Sequence, residues 1–171
     1  FIDPTNPRSK TQIEDRREAL LDLMQAQLNL AVVEYEYAQT YERESKEYRE
    51  RLTAAVKRFE DVYTRYRGWL AGLYARMWMG KCYEEMGETR KAVGFYEELE
   101  KQEDPALVAL KRQVVYFHII CMNKRGDHVL AHDTAQRWIN ENPREARTKQ
   151  GLGVRMELAS ALRDQAKKLP E

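Results

Sequence analysis

Several features are scarce or missing in this chain, and each absence removes a class of protein. Charge of one sign is not in excess: 29 basic side chains face 28 acidic ones, a net of +1. A protein that neutralises many phosphates carries a basic surplus, so nucleic acid is not the expected partner. Cysteine occurs only at Cys82 and Cys121, too few for a disulfide framework. Eight glycines and five prolines are too few for a loop-rich β protein or a disordered segment. No uninterrupted apolar run approaches the roughly 20 residues of a membrane-spanning helix, so membrane insertion is not expected. No stretch alternates apolar and polar residues in the manner of a strand. Glycine-rich phosphate loops, nucleophile elbows and HExxH helices are missing. No catalytic residue and no cofactor is therefore nominated. The chain opens on Phe1 without a signal-peptide pattern and is read as a piece of a longer chain or a processed product. The compartment stays open.

What is present points to helices. Apolar residues make up 43% and charged residues 33%, as in an all-α domain with charged outer faces. Residues 1–9, with Pro4 and Pro7, read as an extended lead-in, and residues 10–171 as a single helical domain. A long first helix carries the stripe Leu21, Met24, Leu28, Ala31, Tyr35 and Ala38, in alternating steps of three and four. Ser45 is a good N-cap for a second helix with Tyr48, Leu52, Ala55, Phe59 and Val62. Without that break the two would form one bent helix. Gly68 reads as a helix C-terminus. Third and fourth helices follow over about 69–86 and 88–101. Asp104 and Pro105 open a fifth that Gly126 ends. A sixth runs to about Asn140, and a seventh spans about Glu145 to Lys168.

The third and fourth helices carry Met79-Gly80, Tyr83, Gly87-Glu88, Ala92, Tyr96 and Leu99. This set closely resembles the tetratricopeptide repeat: a large–small pair, an aromatic one turn later, a turn glycine followed by an acid, and a small residue in the second helix. Gly126-Asp127, Ala131, Ala135, Trp138 and Pro143 resemble a further unit, although His118 and Ile119 stand where the family places Leu-Gly. Leu152-Gly153 resembles the start of another. The resemblance implies an α-α superhelix of about three helix pairs, preceded by a long N-terminal helix and closed by a capping helix. Helices two to four also loosely resemble bacterial cell-envelope repeat proteins, which implies an envelope or periplasmic setting.

Such repeats hold a peptide or partner helix in a concave groove. Helical phase places Tyr74, Met77, Lys81 and Glu84 on the groove side of the third helix. The fifth helix contributes Gln113, Tyr116, Ile120 and Asn123, and the seventh Arg147, Gln150 and Val154. The expected function is a protein-interaction scaffold. Three other chemistries deserve statement. His118, Cys121, His128 and His132 fall within fifteen residues, with donor types that suit zinc, although the tighter paired-cysteine spacing of zinc sites is missing. The seventh helix is locally basic through Arg144, Arg147, Lys149, Arg155, Arg163, Lys167 and Lys168, the feature that would serve an RNA-binding repeat. The stripe from Leu21 to Ala38 is longer than one short neighbour covers, which suggests pairing with a second copy.

Overall fold

The computed structural model describes residues 7–167. Among these residues there are seven α-helices and two single-turn 3-10 segments, and no strand. The helices are α1 (Pro7–Ala38), α2 (Lys46–Tyr66), α3 (Leu70–Glu85), α4 (Thr89–Glu100), α5 (Val108–Arg125), α6 (His128–Glu141) and α7 (Lys149–Ala166). The 3-10 turns Pro105–Leu107 and Glu145–Arg147 precede α5 and α7. The chain gathers into two compact units, Phe1–Ala75 and Arg76–Glu171, and the division falls inside α3.

The stop and start signals act through identifiable hydrogen bonds. The Ser45 side chain accepts from the Tyr48 amide at 3.1 Å, so α1 and α2 are separate helices. Asp104 caps the 3-10 turn by accepting from the Ala106 amide at 2.8 Å. Gly126 ends α5 at φ 81°, where its amide reaches Asn123 and Met122 carbonyls. That left-handed geometry favours a residue without Cβ. Three expectations need correction. Gly68 does not close α2 in this way: the helix ends at Tyr66, its cap Arg67 stays right-handed, and Gly68 has no positive φ. The seventh helix does not begin at Glu145. Thr148 adopts an extended conformation and accepts from the Gly151 amide at 3.2 Å, which starts α7 at Lys149. Helix α1 begins at Pro7, within the expected lead-in, because proline suits the first helical position. The rest of that lead-in, residues 1–6, lies outside the described residues, as does Lys168.

The first unit is built on an antiparallel hairpin of α1 and α2. Met24, Leu28, Ala31, Tyr35 and Ala38 of α1 are buried, and so are Tyr48, Leu52, Ala55, Phe59 and Val62 of α2. Both stripes step by three and four, so their side chains interdigitate along the pair. Arg51 lies over the Tyr37 ring at 4.6 Å, and Arg58 Nε donates to Glu34 at 3.0 Å, which fixes the antiparallel sense. Helix α1 has 32 residues and α2 has 21. The difference leaves about 16 Å of α1 beyond the reach of its partner.

In the second unit, helix contacts are set by small residues that receive rings. A Cβ added at Gly80 would lie 2.7 Å from the Tyr96 ring, and one at Gly153 2.7 Å from the Tyr116 ring. Gly80 joins α3 to α4, and Gly153 joins α7 to α5. Tyr83 and Phe95 stack with centroids 5.5 Å apart. Helix α5 is central, packing against α4, α6 and α7. Its Val115, Ile119 and Met122 meet Ala131 and Ala135 of α6 and Val154 of α7. Within Pro105–Arg125 an 18-residue window reaches a mean hydropathy of 1.2, enough by length and composition to cross a membrane, yet half of that window is buried within the protein. Its apolar character is that of a core helix.

Two glycine substitutions separate packing from backbone effects. Gly94 sits in α4 with nothing within 4 Å of an added Cβ. Gly94→Ala should therefore stabilise the protein by roughly 0.5–1 kcal/mol through reduced chain entropy. Gly80→Ala should instead destabilise it by roughly 1–3 kcal/mol, because the buried Tyr96 ring must move. Urea unfolding midpoints shifting in the same direction would contradict the Gly80 contact.

Candidate partner-binding face

The expected groove residues divide by helix. On α3, Met77 and Glu84 are buried, at 0% and 2% exposure, and cannot meet a partner. They share a face with Gly80, and both Gly80 and Glu84 touch Tyr96, so that face is turned to α4. The side left partly open carries Trp78, Lys81 and Glu85, again spaced three and four. Of the original α3 set Lys81 lies there, and the half-buried Tyr74 shares its phase, four residues before Trp78. Sequence reasoning passed over Trp78 and Glu85. Tyr74 falls in the first unit, where it lines a cavity of about 340 Å³ with Leu21, Met24, Leu28, Trp69 and Leu70.

On α5, Gln113, Tyr116 and Ile120 are half-buried along one side. Asn123 is committed to α7, donating to the Glu157 carbonyl at 3.0 Å and its carboxylate at 2.9 Å. On α7 the phase was wrong. Arg147 stands exposed in the 3-10 turn before the helix, Gln150 is half-buried, and Val154 is buried in the core. A 3-10 turn advances by about 120° per residue rather than about 100°, so a wheel counted through Thr148 misplaces everything after it. From Gly153, which receives Tyr116, the same side of α7 continues to Met156, 71% exposed.

The resulting face in the second unit joins α3, α5 and α7. Trp78 and Phe117 have ring centroids 6.3 Å apart, Phe117 and Tyr116 5.7 Å, and Lys81 Nζ lies 5.1 Å from the Phe117 centroid. Aromatic and aliphatic side chains thus alternate with Lys81, Glu85 and Gln113. Beneath them the Glu84 carboxylate accepts from Lys81 at 3.1 Å, Lys124 at 2.7 Å and the Tyr96 hydroxyl at 3.3 Å. Lys81 also pairs with Glu85 at 3.3 Å. Burial alone would lower the Lys81 pKa, but the Glu84 and Glu85 carboxylates outweigh it and hold the ammonium above its usual range. Burial and the same Glu84 carboxylate push the Tyr96 phenol well up.

The four metal-ligand candidates are not brought together. His118 shares a hydrogen bond with Glu100 at 2.9 Å, and the Cys121 thiol donates to the Thr89 carbonyl at 3.5 Å. His128 faces Asn123 Oδ1 at 3.4 Å, and His132 contacts Asp133 at 2.8 Å. Among the described residues no group of three such donors converges. Burial pushes the Cys121 thiol up to about 11, and the Cys82 thiol higher still. Neither is poised as a thiolate at neutral pH. On the basic segment, Arg163 and Lys167 both pair with Asp164, so part of its charge is locally neutralised. A separate cavity of about 430 Å³ is lined by Lys111, Arg137, Trp138 and Glu141, beside the Arg112–Glu145 ion pair. Its cations and carboxylates are intermixed.

Two measurements check this geometry. Glu84→Gln should cost roughly 2–4 kcal/mol, because it leaves Lys81 half-satisfied beneath the face. A Lys whose folded pKa is raised contributes stability below its unfolded value, 10.5, and loses it as pH rises through the folded one. The gap between wild type and Glu84→Gln in chemical unfolding should therefore narrow above that pH. Both thiols should resist an aromatic disulfide reagent at pH 8 in the native protein and react on unfolding; a fast native thiol would contradict the burial of Cys82 and Cys121. Comparison with family models, with curated proteins and with solved structures gives no match to this chain.

Proposed function

We propose that this chain is a tetratricopeptide-type helical scaffold that holds a protein or peptide partner across the α3, α5 and α7 face of its second unit. The observation that carries this reading is the row of half-buried side chains on successive alternate helices, Trp78, Tyr116 and Ile120, continued by the exposed Met156. Aromatic anchors among polar neighbours are the composition of protein-binding hot spots. Lys81 and Glu85 add polar recognition, and the buried Glu84 fixes Lys81 in place. The ring-in-glycine contacts at Gly80 and Gly153 support the repeat-type packing. An extended peptide or a partner helix lying across the three helices would meet apolar and polar positions in alternation.

The test compares affinity capture by wild type, by Trp78→Ala/Ile120→Glu and by Arg90→Ala, an exposed control on α4. Wild type and control should retain the same bound species, and the double variant should lose it by more than about tenfold. Equal capture by all three would remove this face as the binding site.

A further inference from the structure

Helix α1 is apolar on two sides. The side with Met24, Leu28, Ala31, Tyr35 and Ala38 is buried; this is the stripe that the sequence offered for pairing with a second copy, and its own chain occupies it except at its first member, Leu21, which is exposed. Nearly opposite runs a second stripe, Ala19, Leu23, Ala26, Leu30, Val33 and Tyr37, spaced 4-3-4-3-4 and exposed along its whole length. Leu30 is 59% and Val33 61% exposed. The stripe is about 27 Å long, five helical turns at 5.4 Å each. A solvent-facing apolar seam of this regularity is a coiled-coil surface without its second strand.

Charges on its two edges say what covers it. One edge carries Asp15, Asp22 and Glu36, with Asn29 at the position between the last two, all at multiples of seven residues. The other edge borders α2, whose Arg51, Arg58 and Arg65 are also seven apart. Arg51 sits at the level of Tyr37, over its ring, and Arg58 reaches Glu34 beside Val33. The seam therefore lies between an acidic row and an arginine row of matching period. A two-fold axis parallel to α1 brings the acidic row of one copy onto the arginine row of the other, twice. An antiparallel pair would set acid against acid and arginine against arginine.

We infer that the chain forms a parallel two-fold dimer through the exposed stripe of α1, with Leu23, Leu30 and Tyr37 each meeting their own counterparts across the axis. Ala19, Ala26 and Val33 form the intervening layers, whose small side chains let the helices approach closely. The charged rows set orientation and register, and the apolar layers supply the association energy. This dimer is independent of the partner-binding face on the second unit.

The experiment measures solution mass by light scattering and orientation by cross-linking. Wild type should run at twice the chain mass. Leu30→Glu/Val33→Glu should weaken the dimer by more than about a hundredfold, since four charges would be buried in one seam. Both positions are exposed in the single chain, so far-UV circular dichroism and the urea midpoint of the diluted monomer should stay unchanged. Leu23→Cys should cross-link to itself under mild oxidation, because in the parallel pair the two Cα atoms come within disulfide reach. Glu36→Arg and Arg51→Glu should each weaken association by about fivefold, and the combined variant should recover it. A monomer at all concentrations up to about 1 mM would overturn the inference. So would a dimer that Leu30→Glu/Val33→Glu leaves intact, or one in which Leu23→Cys fails to cross-link.

Discussion

Two helices lie close together only where one presents a small side chain and the other a group that fills the space above it. In the second unit this occurs at Gly80 beneath Tyr96 and at Gly153 beneath Tyr116. Everything else there follows from those approaches. Once α4 lies on the Gly80 side of α3, Met77 and Glu84 are inside and Trp78, Lys81 and Glu85 are left at the surface. Once α7 lies on Tyr116, Asn123 reaches Glu157 and Val154 enters the core with Ala131 and Ala135. The open face is what these contacts leave uncovered, and its side chains stand on rigid helices rather than on loops.

Burial of Glu84 ties this packing to electrostatics. A carboxylate at the α3–α4 contact would be costly alone. Lys81 from its own helix, Lys124 from α5 and the Tyr96 hydroxyl from α4 satisfy it together. The same network orients the Lys81 stem over Phe117, at the centre of the open face. Stability and the shape of the candidate site therefore share one set of interactions. In the first unit the division of labour differs. The α1–α2 hairpin uses one stripe of α1 for its core and leaves a second, flanked by charges of opposite sign, for association.

Much of the local structure was legible because it depends on residues close in sequence. Ser45, Asp104 and Gly126 mark ends through hydrogen bonds spanning two to four residues. The inner stripe of α1 was readable for the same reason. Helix α3 was less readable. Leu70, Leu73, Tyr74, Met77, Trp78 and Met79 surround it with apolar groups, so periodicity could not say which side α4 would cover. Thr148 was missed because its effect depends on an extended backbone that its neighbours do not announce. The histidines and Cys121 were close in sequence and separate in space, since α5 and α6 turn them toward different neighbours.

What the sequence determined by itself was the helical class, most of the helix boundaries, the small residues where helices meet, and the inner stripe of α1. These are properties of short segments, governed by backbone geometry and the 3.6-residue period. Only the tertiary structure decided which stripe of α1 is buried, which side of α3 faces outward, and that Glu84 is a buried ion shared among three helices. Those outcomes depend on which helix lies against which, and one helical repeat carries no information about its neighbour's position until the two have packed.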